Sequence, residues 1–171
     1  MTDLDELRIR IDYLYDRAQI SETINRFFLA LDEKDWDAIP PLLADEFLLT
    51  AATVTGEPKR LAIPEFMQSL IARNGGFAGT THLNPDHIID IAGDSAHVKA
   101  HMLCPHWSDD TDAGLFVSYG RYDIDLLRSG DRWVMTDLII RIDGSRGDHA
   151  SVYAAAAARL AADPSAADRI E

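Results

Sequence analysis

Residues 95–107 read Ser95-Ala96-His97-Val98-Lys99-Ala100-His101-Met102-Leu103-Cys104-Pro105-His106-Trp107. Over residues 96–103 the side chains alternate. Ala96, Val98, Ala100 and Met102 share one face, and His97, Lys99, His101 and Leu103 share the other. A period of two marks a strand with one face on a core. Gly93-Asp94 bounds the stretch on one side and the acidic run Ser108 to Asp112 on the other. Three more strand candidates lie beyond these breakers, at about 79–91, 114–127 and 132–143, with Ser129-Gly130-Asp131 between the last two. Gly-Asp pairs and short loops of this kind suit antiparallel hairpins.

Upstream the period changes to that of helices. Thr2 followed by Asp5 resembles a capping box. Leu4, Leu7, Ile11 and Leu14 recur on one helix face, and Ile20, Ile24, Phe27, Phe28 and Leu31 form a second stripe. Asp35 reads as the N-cap of a short helix starting at Trp36, which Pro40 and Pro41 keep short. Phe47 to Thr53 reads as a strand. Ile63 to Arg73 reads as a helix that buries Phe66 and Leu70 and ends at Asn74-Gly75-Gly76. Residues 151–162 form a last, Ala-rich helix stopped by Pro164, and the tail 163–171 is expected to fray. Helices come first and consecutive strands last. That order predicts one α+β domain over residues 1–171, with helices packed on one face of a strongly curved antiparallel sheet that encloses a pocket.

Composition narrows the function. The chain has 171 residues, with 16 Lys and Arg against 29 Asp and Glu, for a net charge of −13. That balance argues against nucleic acid and against anionic lipid as partners. Apolar residues make up 47% of the chain, enough for a core. A single cysteine, Cys104, offers neither an internal disulfide nor a multi-Cys zinc site. No window approaches the ~20 apolar residues of a membrane span. The acidic start has no apolar segment of signal-peptide type, so a reducing cytoplasm is the expected setting.

Asp32 follows Phe28 by four residues and Ile24 by eight, so helical geometry puts it on or beside the buried stripe. There it needs a partner. It either caps a local turn, pairs with Lys34 or Arg26, or serves a site. Five of the six histidines, His82, His87, His97, His101 and His106, fall in two adjacent strand candidates. Histidine can take and give a proton near neutrality. His87, His97 and His106 have no further feature in their favour. His97 and His101 share a strand face but sit about 13 Å apart along it, too far for one metal ion. Strict alternation turns His101 toward solvent, and a bulge is needed to bring it inward. Arg141 follows Ile139 and Ile140 and is either an interface or salt-bridge residue, or an anion binder in the pocket. Dinucleotide, P-loop, serine-hydrolase and zinc-protease motifs are absent.

Read together, these segments resemble the SnoaL-like branch of the NTF2-like superfamily, and within it the scytalone dehydratase and bile-acid 7α-dehydratase type. The resemblance rests on Arg26-Phe27-Phe28-Leu29-Ala30-Leu31-Asp32-Glu33-Lys34-Asp35-Trp36, on Thr80-Thr81-His82, and on His101 to His106. It also rests on Gly120-Arg121-Tyr122-Asp123 followed by Arg132-Trp133, and on Ile140-Arg141-Ile142. It implies a cone-shaped α+β fold with a buried Asp–His dyad. Asp32 and His82 carry over as that dyad, with His101 and Arg141 as further catalytic groups. Tyrosines found in related dehydratases are replaced here by Phe27, Leu31 and the stretch Leu48-Leu49-Thr50-Ala51, so scytalone and bile acids are poor expectations as substrates.

The expectation is therefore a cofactor-free lyase of dehydratase type, binding no metal. Its substrate is a small, largely apolar cyclic or aromatic molecule, held against Phe27, Phe28, Leu31, Phe47, Phe66 and Tyr122. The alternatives are a ketosteroid-isomerase-like isomerase, or a non-catalytic ligand-binding or dimerisation module of the same fold. Apolar residues on both faces of the last two strands point to a homo-oligomer, dimer or trimer.

Overall fold

The computed structural model describes residues 2–51 and 58–170. Helix α1 spans Asp3–Glu33. Its N-terminus is a full capping box, in which Thr2 Oγ1 accepts from the Asp5 N–H and the Asp5 carboxylate accepts from the Thr2 N–H. Its apolar residues form two stripes. Ile20, Ile24, Phe27, Phe28 and Leu31 are buried, whereas Leu4, Leu7, Ile11 and Leu14 are all more than half exposed. Ile9 and Tyr13, which at 3.6 residues per turn lie in the direction of the buried stripe, are exposed as well. The second half of α1 therefore belongs to the core, and the first half stands clear of it. Lys34 ends the helix in the left-handed region at φ 56°. The short helix expected at Trp36 is two 3-10 turns, Trp36–Ala38 and Pro40–Leu42, and Asp35 makes no side-chain cap bond.

Strand β1 (Leu43–Ala51) starts four residues before the expected Phe47, and the expected end at Thr53 lies outside the described residues. Then come β2 (Arg60–Ala62) and α2 (Ile63–Asn74), which buries Phe66, Met67 and Leu70. The long strand expected over 79–91 is divided. Gly79–Thr80 forms β3 and Ile88–Ala92 forms β4, with a single bridge from Leu83 to Leu103 between them. The break contains Pro85, which has no N–H to pair, and Asp86 at φ 63°. Strands β5 (Ser95–Trp107), β6 (Leu115–Ser129) and β7 (Arg132–Arg146) follow, and α3 (His149–Ala162) closes the series.

The strands form one curled sheet in the order β2-β1-β7-β6-β5-β3, with β4 also on β5. It is antiparallel except where β1 runs parallel to β7, so the sheet is mixed. Register shifts between β6 and β7, at Tyr119/Gly120 and at Asp125/Leu126, add the local twist that curls it. The inner face packs on α1 and α2 through Phe27, Phe28, Phe47, Phe66, Ile124, Leu126, Trp133 and Met135. Each such side chain contributes about 1.5–3 kcal/mol on burial. A second cluster of Phe77, Phe116, Val152 and Ala156 seats α3 across one end of the sheet. Gly76 permits that seat, because a Cβ there would lie 1.9 Å from the Ala156 carbonyl oxygen.

The tail packs against the end of α1 within the described residues. Trp36 Nε1 donates to the Ala167 carbonyl at 2.7 Å, and the Ile170 N–H donates to Glu33 O at 2.9 Å. Among the described residues no helix is long and apolar enough to cross a membrane.

Candidate active site

The curl leaves a cavity of about 90 Å³ between the helices and the inner face of the sheet. α1 contributes Phe27, Phe28 and Leu31, and α2 contributes Phe66 and Leu70. Tyr122 lies on β6, and His149 and Tyr153 come from α3. Five of the six expected wall residues line the cavity. Phe47 does not. It is fully buried behind the wall, its ring 4.7 Å from that of Phe66, because its place on β1 faces the helix layer and not the open space.

Asp32 sits in the last turn of α1, at the edge of the buried stripe. Three donors converge on its carboxylate. The Thr80 hydroxyl donates to Oδ1 at 2.7 Å, the His82 backbone N–H to Oδ2 at 2.8 Å, and His82 Nδ1 to Oδ1 at 2.6 Å. The sheet explains the meeting. Residues 78–83 run against residues 103–107 of β5, with Thr80 opposite His106, and this strip passes under the end of α1. Burial alone would raise the Asp32 carboxyl. The hydrogen bond and charge of His82, its backbone N–H and the Thr80 hydroxyl outweigh that effect and hold the carboxyl below its usual range. An ionised Asp32 makes Nδ1 of His82 the protonated nitrogen. In the neutral ring the lone pair is then on Nε2, which has no protein partner among the described residues. The ring is 9% exposed, stacks on Phe28 at 5.7 Å and borders the cavity.

The two other expected catalytic groups lie elsewhere. His101 is on the outer face of the sheet, its Nδ1 3.4 Å from Asp86 and its side chain 73% exposed. β5 pairs with β6 without a break from Ser95 to Trp107, so no bulge turns His101 inward. Arg141 also points outward, to an ion pair with Asp123, between the inward Ile140 and Ile142.

The same parity brings in residues that the sequence reading passed over. Counting on by twos from Met102 gives Cys104 and His106, both buried and both lining the cavity. His106 meets His82 edge to face at 5.3 Å. Burial, with the nearby His82, lowers its pKa to about 3, so the ring is neutral. Nδ1–H donates to the Cys104 carbonyl at 3.1 Å, which leaves Nε2 as an acceptor. Ser118 on β6, buried on the inner face, brings a hydroxyl to the wall, and its Oγ has no protein partner among the described residues. The Tyr122 hydroxyl is 2.9 Å from Cys104 Sγ. Burial pushes the thiol up to about 12 and raises the phenol too, so both stay protonated. The parity of Met102 was the signal for Cys104 and His106, and the alternation of β6 inward from Tyr122 was the signal for Ser118. Among the described residues no group of three or more His, Cys, Asp or Glu side chains is arranged to hold a metal ion.

A helix-backed curled sheet is also the fold of solved structures described as NTF2-like. The model of the SnoaL-like domain matches residues 12–139, and the chain belongs to that family. Among solved structures, Kfla4162 from Kribbella flavida is 25% identical, with a TM-score of 0.74 over 83% of this chain and 99% of that one. A candidate scytalone dehydratase from Novosphingobium aromaticivorans is 19% identical, with a TM-score of 0.66 over 87% and 93%. A type 2 hexachlorocyclohexane dehydrochlorinase, LinA, is 15% identical, with a TM-score of 0.68 over 80% and 91%. No curated protein matches the chain.

Proposed function

We propose that the protein is a cofactor-independent lyase of dehydratase type, acting on a small, largely apolar cyclic or aromatic β-hydroxy carbonyl compound. The observation that carries this reading is the bond from His82 Nδ1 to a half-buried, ionised Asp32, with Nε2 left for the cavity. Two structurally similar proteins, a candidate dehydratase and a dehydrochlorinase, carry elimination chemistry in their names and lend it support.

His82 Nε2 takes the proton from the carbon beside the substrate carbonyl. Asp32 fixes the tautomer and stabilises the imidazolium that forms. The electron pair moves into the carbonyl as an enolate, and the hydroxyls of Ser118 and Tyr122 are the donors available to that oxygen. When the enolate collapses, the β carbon–oxygen bond breaks. The imidazolium returns its proton to the departing hydroxide, so water leaves and His82 is neutral again. His106 Nε2 can only accept, and it orients the substrate hydroxyl. The oxyanion and leaving-group duties expected of His101 and Arg141 thus fall to groups that border the cavity.

The test is a screen of cyclic and aromatic β-hydroxy ketones for loss of water. With a substrate in hand, Asp32→Asn and His82→Ala should each lower kcat by about 10²–10⁴-fold, with the circular dichroism spectrum unchanged. A wild-type rate in either variant rejects the dyad. The reading includes self-association, supported by the exposed apolar stripe on the first half of α1.

A further inference from the structure

The dyad and its neighbours on the sheet account for part of the cavity wall and leave the α3 wall without a role. His149 and Tyr153 stand at i and i+4 on α3, so they share one face, and both line the cavity. Their rings stack on each other at 4.2 Å. The His149 ring also meets Phe116 edge to face at 5.1 Å, and the Tyr153 ring meets Phe77 edge to face at 4.9 Å. Tyr153 lies 5.6 Å from the ring of His106, which in turn meets His82. The pair therefore extends the polar wall beyond the groups that the elimination uses.

Ring packing does not explain these two residue types. His149 Nε2 is buried and has no hydrogen-bond partner among the described residues. A phenylalanine would make the same stack without an unpaired nitrogen. Buried polar atoms are nearly always paired, so an orphan on a cavity wall points to a partner that the chain itself does not supply. The Tyr153 hydroxyl also has no hydrogen-bond partner among the described residues, although a tyrosine in such a place usually finds one. Burial raises the pKa of this phenol, against a lowering by the charge of Arg73, so it stays protonated and can both donate and accept.

A hydroxyl is the ligand group that suits both. It donates to an imidazole lone pair or accepts from an imidazole N–H, whichever tautomer is present, and completes its second bond with the phenol. A carbonyl could only accept. The net charge of −13 disfavours an anion. We propose that His149 and Tyr153 form a hydroxyl-binding subsite at the α3 end of the cavity, taking a ring hydroxyl of the ligand through His149 Nε2 and the Tyr153 phenol. This rests on the cavity being the substrate site and deepens that reading, since the substrate then carries a hydroxyl away from the carbon that loses its proton. It does not depend on what Asp32 and His82 do chemically.

The probes are 4-methylphenol and toluene, which differ by one hydroxyl, titrated by calorimetry into the 171-residue protein. The phenol should bind about fivefold tighter than toluene or better. Tyr153→Phe and His149→Phe each keep a ring in place and remove one polar partner. Either should reduce the preference, and the two combined should abolish it while toluene binding persists, which shows that the pocket is intact. Equal binding of the two probes to the wild type overturns the proposal. So does a preference that survives both substitutions. Loss of toluene binding in both single variants also overturns it, because the pair would then serve only to pack the wall. Binding of neither probe to the wild type removes the cavity as a ligand site and the proposal with it. Asp32→Asn should keep the preference, so a failed dyad and a failed hydroxyl subsite give different results.

Discussion

His106 and Asp32 make the stability of this protein sensitive to acid in the same direction. The folded-state pKa of His106 is about 3, against an ordinary value of 6.5. As pH falls below that ordinary value the unfolded chain takes a proton that the folded chain refuses. Stability is therefore lost on acidification, at up to about 1.4 kcal/mol per pH unit, down to the folded value. The carboxyl of Asp32 is held below its usual range, so its contribution is present above that range and is lost only as pH falls through its lowered value. The two windows differ. Urea unfolding at pH 6.5 and pH 4.5 should show a marked loss in the wild type and a much smaller one in His106→Phe. An equal loss in both would show that His106 is charged inside the fold. The residues of the site were unequally legible. Alternation already turned His101 outward, and β5 follows it. Alternation set Arg141 on the face of Trp133 and Met135, but the register shift between Met135 and Asp137 changes the parity of β7 and turns Arg141 out. The meeting of Asp32 with His82 could not be read from spacing, because the two are 50 residues apart.

At the scale of elements, the junction after α1 carries more than its sequence suggests. In the sequence Lys34 enters only as one of the partners open to Asp32. In the fold it is buried, and Nζ donates to the carbonyls of Gly75, Phe77 and Ala166. It ties the end of α1 to the segment leading into β3 and to the C-terminal turn. Burial, with the charge of Arg159, lowers its pKa against an opposing pull from Asp168. Lys34→Met fills much of the volume but leaves three carbonyls short of a donor. It should cost about 2–4 kcal/mol by urea unfolding, and it should speed amide exchange in residues 164–170. A neutral result would mean that water replaces the ammonium freely. The same junction explains why the tail packs where Pro164 alone predicted fraying: the partners of the tail, Glu33, Lys34, Asp35 and Trp36, lie more than a hundred residues earlier in the chain.

For the whole molecule, the first half of α1 is the feature that folding of one chain does not use. Leu4 is 77% exposed and Leu14 63%, on the half of the helix that stands clear of the core. The self-association proposed above would use this stripe. Light scattering should give more than one chain mass for the wild type and a single chain mass for Leu7→Lys combined with Leu14→Lys, with the unfolding midpoint of the body little changed. A monomeric wild type, or an oligomer that survives both substitutions, would remove this stripe as the contact.

Period and punctuation are local properties of a chain, so the sequence by itself determined the main helices and long strands, their order and the inward face of β5. It was sufficient for helices against a curved sheet, and for the parity that sends Cys104 and His106 inside with Met102. Tertiary structure alone decided the rest. β1 lies parallel to β7, the strip after α2 breaks at Pro85 and Asp86, and the end of α1 crosses above Thr80 and His82. These outcomes depend on how far the sheet curls and on which distant segments can pack without leaving polar groups unpaired. The site exists only where those packing choices intersect.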